Sequence, residues 1–169
     1  MNTPPWNTKT LAGWGRTSTA TVPVARPERH DDLHRALATA GPLTVHGEGR
    51  SYGDAAVPLP EGRALLLNRL DRFLSFDEAT GLLTCEAGAT LASIQRHFLP
   101  LGWALPVTPG TSFVALGGAI ANDVHGKNHV TAGTLGRHVA WLDLLLPSGE
   151  EVRVSRTENA PLFLATLGG

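Results

Sequence analysis

Two glycine-rich stretches concentrate the groups that could do chemistry. The first, HGEGRSYGDA at residues 46–55, places three glycines, an arginine, a serine and a tyrosine in ten positions. Glycines this close let the backbone turn sharply or let another molecule approach it. Gly47 and Gly49 follow a short strand expected at Leu43–Val45 and open a Gly-x-Gly pattern. Tyr52 stands where a dinucleotide fingerprint needs its third glycine, and Pro58 and Pro60 come too soon for a helix. Two readings stay open: a tight turn between strands, or a loop whose successive N–H groups form an anion nest.

The second stretch is PGTSFVALGGAIANDVHGKNHVTAGTLGRHV, residues 109–139. Gly117, Gly118 and Ala119 are small enough for a helix to lie against a strand or a ligand. Asn122, Asp123, His125, Lys127, Asn128 and His129 follow at once, either as a solvated, capped loop or as a site. The four-residue spacing of His125 and His129 would suit a metal pair on a helix. Gly126 lies between them and no carboxylate partner is obvious, so no metal is expected. Lys127 reads as a surface cation. Trp14 and Tyr52 read as plain core, and Cys85, on an expected strand, reads as a buried apolar filler.

These residues need a scaffold. Thr21–Ala25 reads as an edge strand, because Pro23 cannot donate to a ladder. Asp31 is placed to cap a helix bearing Leu33, Ala36, Leu37 and Ala40, a stripe of helical period that Gly41 ends. Leu43–Val45 completes a β-α-β unit leading into the first loop. Strands are expected at 64–67, 73–76 and 82–86, and Thr90 caps a helix with Leu91, Ile94 and Phe98 on one face. Val139–Leu146 is mostly apolar and reads as a central strand covered on both faces. Pro147–Glu150 turns it into a hairpin with 151–154, and a last helix begins near Leu162. The fold class is α+β, a small β-α-β lobe joined to a second α/β lobe. Residues 1–12 are expected as a loose arm and 13–169 as the domain.

A chain of 169 residues can bury one real core. Fourteen Lys and Arg against fifteen Asp and Glu leave a net charge of -1, which argues against nucleic acid and against an anionic membrane surface. One cysteine excludes an internal disulfide. The first ten residues lack an apolar h-region, and no apolar run approaches the roughly 18 residues of a membrane span. A cytoplasmic protein is expected.

The order Gly117-Gly118-Ala119-Ile120-Ala121-x-Asp123-x-His125-Gly126-Lys127-Asn128-His129, preceded by Pro109-Gly110-Thr111, resembles the flavin domain of the vanillyl-alcohol-oxidase superfamily, the PCMH-type FAD-binding proteins. LAGWGRT at 11–17, GRSYGD at 49–54 and residues 162–169 are similar to the branch of that superfamily that oxidises polyprenyl-phosphoryl pentoses at C2. The motifs keep the family's order from about Gly13 onward.

The resemblance implies FAD held between the two lobes. Val45, His46, Gly47, Glu48, Gly49, Arg50, Ser51, Tyr52, Gly53, Asp54 and Ala55 would wrap the pyrophosphate. Gly110, Ala115, Leu116, Gly117 and Gly118 match further FAD contacts, and Asn122, Asp123, Val124 and His125 match the run beside the flavin. Lys127, His125, Tyr52 and Trp14 match the substrate side. Many relatives carry a histidine, and a covalent flavin, where Arg50 stands, so non-covalent FAD is implied. The implied reaction is oxidation of a secondary sugar alcohol, the flavin taking hydride while a base takes the hydroxyl proton. An aldonolactone or alditol oxidase, or a nucleotide-binding fragment without turnover, are the other readings. A lipid-linked sugar substrate, an NAD-dependent reductase for the keto product and a place at the inner membrane face are implied as well. Family members continue past the position of Gly169 into a substrate domain, so the chain is expected to be C-terminally truncated and inactive alone.

Overall fold

Buried Ala20, Val22 and Val24 alternate with exposed Thr19, Thr21 and Pro23, and this period of two makes a strand with one face to the core. The computed structural model describes residues 5–39 and 41–168. That strand is β2, Thr19–Ala25, and it pairs antiparallel with β1, Asn7–Ala12. Helix α1, His30–Leu37, returns the chain to β3, Leu43–His46, and a long loop leads to β4, Arg63–Leu66. β4 inserts between β2 and β3, parallel to both, giving the order β1-β2-β4-β3. On one face Ala36 of α1 packs on Ala25 and Leu65, flanked by Trp6, Leu33, Leu43 and Leu67. On the other, Leu11, Ala20, Val22, Val24 and Ala64 form a second cluster.

Three expectations are corrected here. Residues 7–12 are a strand rather than a loose arm; residues 1–4 lie outside the described residues. β1 is exposed along most of its length and is held by its ladder and by the Thr10–Thr21 hydroxyl contact at 2.8 Å, so it carries no apolar period to read. β2 is interior, not an edge. Its ladder to β4 begins only at Val24, so no partner on that side is lost at Pro23. Asp31 does not cap α1. Asp32 does, its Oδ2 accepting the N–H groups of Glu28 and Arg29 at 3.2 and 3.1 Å. Ala40, expected on the stripe of α1, falls outside the described residues.

The second lobe begins with the hairpin β5, Phe73–Asp77, and β6, Leu82–Cys85. Helix α2, Leu91–Phe98, buries Leu91, Ile94 and Phe98 against Val107, Ala119, Ile120 and Leu135. Thr90 caps it as expected, its Oγ1 accepting from Ser93 N at 3.0 Å. Thr90→Ala should lower stability by about 1 kcal/mol, a loss of roughly 2–4 °C in Tm by calorimetry.

Two short helices follow, α3, Leu116–Ala121, and α4, His129–Ala132. The chain then forms the hairpin β7, Trp141–Leu145, and β8, Glu151–Ser155, and ends in α5, Ala160–Thr166. The turn at 147–150 is closed by Gly149 N–H to Leu146 O and Leu146 N–H to Glu150 O, both 2.9 Å. β7 was expected to be central and doubly covered. Among the described residues it pairs with β8 alone, and its side chains are half-buried or exposed, so the apolar run marks one packed face, not two.

The class is α+β, with separate small sheets in two lobes. No helix of the described residues is long and apolar enough to cross a membrane.

Candidate functional site

A buried carboxylate organises the ground beneath the site. Glu86 Oε2 accepts from Arg72 N at 2.8 Å and Nε at 3.0 Å, and Oε1 accepts from Nη2 at 2.5 Å. Burial would raise its pKa, but the Arg72 side chain and amide, with His30 Nε2 at 3.8 Å, hold it below the usual carboxylate range. Next to it, burial first and the Glu86 charge second push the Cys85 thiol up to about 11, as suits an inert filler. Gly88 N–H bonds Leu70 O at 2.8 Å, and a side chain at Gly88 would collide with the carbonyls of Leu67 and Leu70.

This platform, Glu86–Thr90, holds α3. Leu116 N–H donates to Ala89 O at 2.7 Å and Gly117 N–H to Ala87 O at 2.8 Å, and Thr90 bridges Ala115. A Cβ on Gly117 would lie 3.0 Å from Ala87 Cβ. The EAGAT run at 86–90 was not singled out from the sequence; its small residues are the signal that points to it.

Ala115 in turn meets the first loop, since a Cβ on Gly47 would lie 3.1 Å from Ala115 Cβ. The two glycine stretches, distant in sequence, therefore touch. Val45 leaves β3 with 60% of its surface exposed, while His46 is buried and its Nδ1 lies 2.8 Å from Ala56 O. Gly49, at φ 62°, sits where a Cβ would be 3.0 Å from Ala12 O and 3.1 Å from His46 Nε2. Glu48 O accepts from Arg50 Nη1 at 2.5 Å, Ser51 O from Trp14 N at 3.1 Å, and Asp54 O from Val57 N at 2.7 Å. Gly53 and Ala55 are exposed, and a Cβ on Gly13 would lie 2.5 Å from Gly53 O. The turn Gly13–Arg16 thus braces the loop from below.

The loop's donors are the telling feature. Among the described residues, none of the backbone N–H groups from Gly47 through Gly53 has an acceptor. Backbone donors are paired wherever protein surrounds them, so a run without acceptors among the described residues suits a bound anion. Gly110 and Gly118 have no atom within 4 Å of an added Cβ, so ligand could lie against their backbones. These features fit the pyrophosphate and the close backbone contact that FAD would need.

Trp14 and Tyr52 are 54% and 82% exposed, which excludes the core reading of both. Arg50 stacks over Trp14, its guanidinium carbon 5.4 Å from the ring centre.

The second stretch follows α3 without a break. Asn122 Nδ2 turns back to Gly118 O at 2.8 Å, and Asp123 Oδ1 accepts Gly136 N–H at 2.7 Å. Val124 packs on the core of the second lobe. His125 is exposed and its ring stands 5.6 Å from that of His129. Gly126 is buried against Thr108, and Asn128 Nδ2 donates to Pro106 O at 2.9 Å, tying this run to the loop before Gly110. Lys127 is exposed, with no hydrogen bond or ion pair among the described residues. No group of three or more His, Cys, Asp or Glu residues able to hold a metal occurs among the described residues. No hydrogen bond, ion pair or ring contact joins Trp14 or Tyr52 to His125 or Lys127 among the described residues.

A family model described as an FAD binding domain matches residues 23–155. The decaprenylphosphoryl-beta-D-ribose oxidase of Mycolicibacterium smegmatis is 38% identical over 98% of this chain and 37% of that protein. The L-gulonolactone oxidase of Scyliorhinus torazame is 32% identical over 73% of this chain and 28% of its own length. The D-lactate dehydrogenase of Anaerostipes hadrus is 25% identical over 69% of this chain and 24% of its length. The chain spans about a quarter to just over a third of the length of these three curated relatives.

Proposed function

The chain belongs to the FAD binding domain family, and from that premise we propose that it is the cofactor-holding part of a flavin-dependent oxidoreductase that oxidises a secondary alcohol of a sugar. The run of N–H groups at Gly47–Gly53 without acceptors among the described residues, with Gly47 against Ala115, carries this reading. Bound FAD supplies the hydride acceptor. The chain's own residues bind and orient. The loop N–H groups take the pyrophosphate oxygens, and the bare backbones of Gly110 and Gly118 admit the cofactor closely. Asn122–His125 borders the flavin, and His125 and Lys127 face the substrate side with Tyr52 and Trp14. Lys127, which has no hydrogen bond or ion pair among the described residues, is available to an anionic group of the substrate.

The favoured substrate is a polyprenyl-phosphoryl pentose oxidised at C2, supported by the 38% identity to an oxidase of a lipid-linked ribose. The keto product would pass to an NAD-dependent reductase. A second reading, a soluble aldonolactone or alditol as substrate, is favoured by the 32% identity to a gulonolactone oxidase. A third, a nucleotide-binding fragment without turnover, would show flavin binding and no reduction. Anaerobic bleaching of bound flavin by each sugar class, followed optically on a chain extended past Gly169 to the length of its relatives, distinguishes the three. Reduction by a soluble lactone but not by a polyprenyl-phosphoryl ribose would overturn the first.

The flavin is non-covalent in this proposal, because an arginine cannot form the linkage a histidine makes at the position of Arg50. Acid precipitation should leave all the yellow colour in the supernatant; colour retained in the pellet would contradict it.

A further inference from the structure

Asp123 holds a backbone that side chains rarely adopt, φ 39°, and it is the one non-glycine residue of the 109–139 stretch to do so. Its carboxylate explains why the conformation persists. Oδ1 accepts the N–H of Gly136 at 2.7 Å, and the carbonyl of that same glycine accepts from Arg156 Nη2 at 2.8 Å. Arg156 in turn lies over the ring of Phe163, which α5 buries completely. A Cβ at 136 would stand 2.7 Å from Asp123 Oδ1 and 2.9 Å from Leu167 Cδ1, so a side chain there would displace the Asp123 carboxylate. Above this point Leu135 N–H bonds Val124 O at 2.8 Å and His125 bridges Thr134. The segment between carries His125, Lys127 and His129.

We infer that Asp123 is a positioning residue: it closes the 123–136 excursion through Gly136, which Arg156 anchors to α5, and so sets where His125 and Lys127 stand. Its carboxylate is committed within the protein, and its effect on the cofactor passes through the segment it closes. The closure follows from the geometry alone; its bearing on FAD rests on the proposed function.

Three variants separate strain from closure. Asp123→Asn keeps an acceptor and tolerates positive φ, Asp123→Gly tolerates the φ without an acceptor, and Asp123→Ala has neither. Amide hydrogen exchange on the FAD-free chain should quicken roughly tenfold across 124–135 in Asp123→Gly and Asp123→Ala, with Asp123→Asn close to the unaltered protein. Exchange in β1–β4 should not change, which verifies that the variants are folded. FAD affinity, read by flavin fluorescence, should fall with exchange and be rescued in the asparagine variant. Exchange over 124–135 in Asp123→Gly as slow as in the unaltered protein would overturn the closure. An asparagine variant that exchanges normally but loses FAD would instead assign the charge to direct contact and overturn the positioning role. Failure of the unaltered chain to bind FAD would count against the proposed function, leaving exchange to decide the closure.

Discussion

Replacing Gly117 with valine should weaken FAD binding roughly tenfold to a hundredfold, more than Lys127→Ala does. A Cβ at 117 would lie 3.0 Å from Ala87 Cβ and 3.3 Å from Ala87 O, and a branched side chain adds two methyls to that contact. The platform cannot yield easily, because Ala87 lies between Glu86, pinned by Arg72, and Gly88, pressed on two carbonyls. Overpacking of this kind costs about 1–3 kcal/mol, or roughly tenfold to a hundredfold in an equilibrium. Displacing α3 also moves Ala115 away from Gly47, so the two halves of the proposed cofactor site part. Lys127 is exposed, with no hydrogen bond or ion pair among the described residues, and should change substrate affinity alone. Gly118→Ala serves as the companion variant: it has open space around it, so stability should hold while FAD affinity falls. Isothermal titration with FAD measures all three. Equal losses in Gly117→Val and Lys127→Ala would contradict the assignment.

Glu86→Gln should destabilise the fold by about 1.5–3 kcal/mol, the worth of hydrogen bonds to a charged group, and lower Tm by roughly 5–10 °C. The carboxylate is buried at 6% exposure and takes three Arg72 donors. Its folded pKa lies below its unfolded one. Its contribution is therefore complete above the unfolded carboxylate value of about 4.3 and is lost as pH falls through the folded value. Asp143, held low by its hydrogen bonds from Arg153, adds in the same direction. Denaturant melts from pH 7 to pH 3 should show the unaltered protein losing stability on acidification and Glu86→Gln losing less. Parallel curves would contradict the assignment.

The parts of the fold legible from sequence are those whose signals are local. Thr90 caps α2 because its hydroxyl reaches Ser93 three residues on, and the 147–150 turn announces the β7–β8 hairpin. β1 escaped because its exposed threonines and lysine show no apolar alternation, and its stability comes from a partner beyond the turn. The interior place of β2 escaped because Pro23 speaks for an edge unless the register to β4 is known. In the candidate site, order and spacing marked both glycine stretches, yet not which glycine faces what. Gly47, Gly117 and Gly126 press against protein, whereas Gly110 and Gly118 open outward. Identical residues in one string take opposite roles, and only tertiary contact assigns them.

The central claim is that the loop at Gly47–Gly53 grips the pyrophosphate of FAD. It is tested most directly by titrating the protein with FAD and with riboflavin, which has the same ring but no phosphate, and by competing FAD with ADP. Several N–H bonds to a diphosphate should make FAD roughly tenfold or more tighter than riboflavin, and ADP should displace it. Riboflavin binding as tightly as FAD, with ADP unable to compete, would place the affinity in the ring and contradict the account.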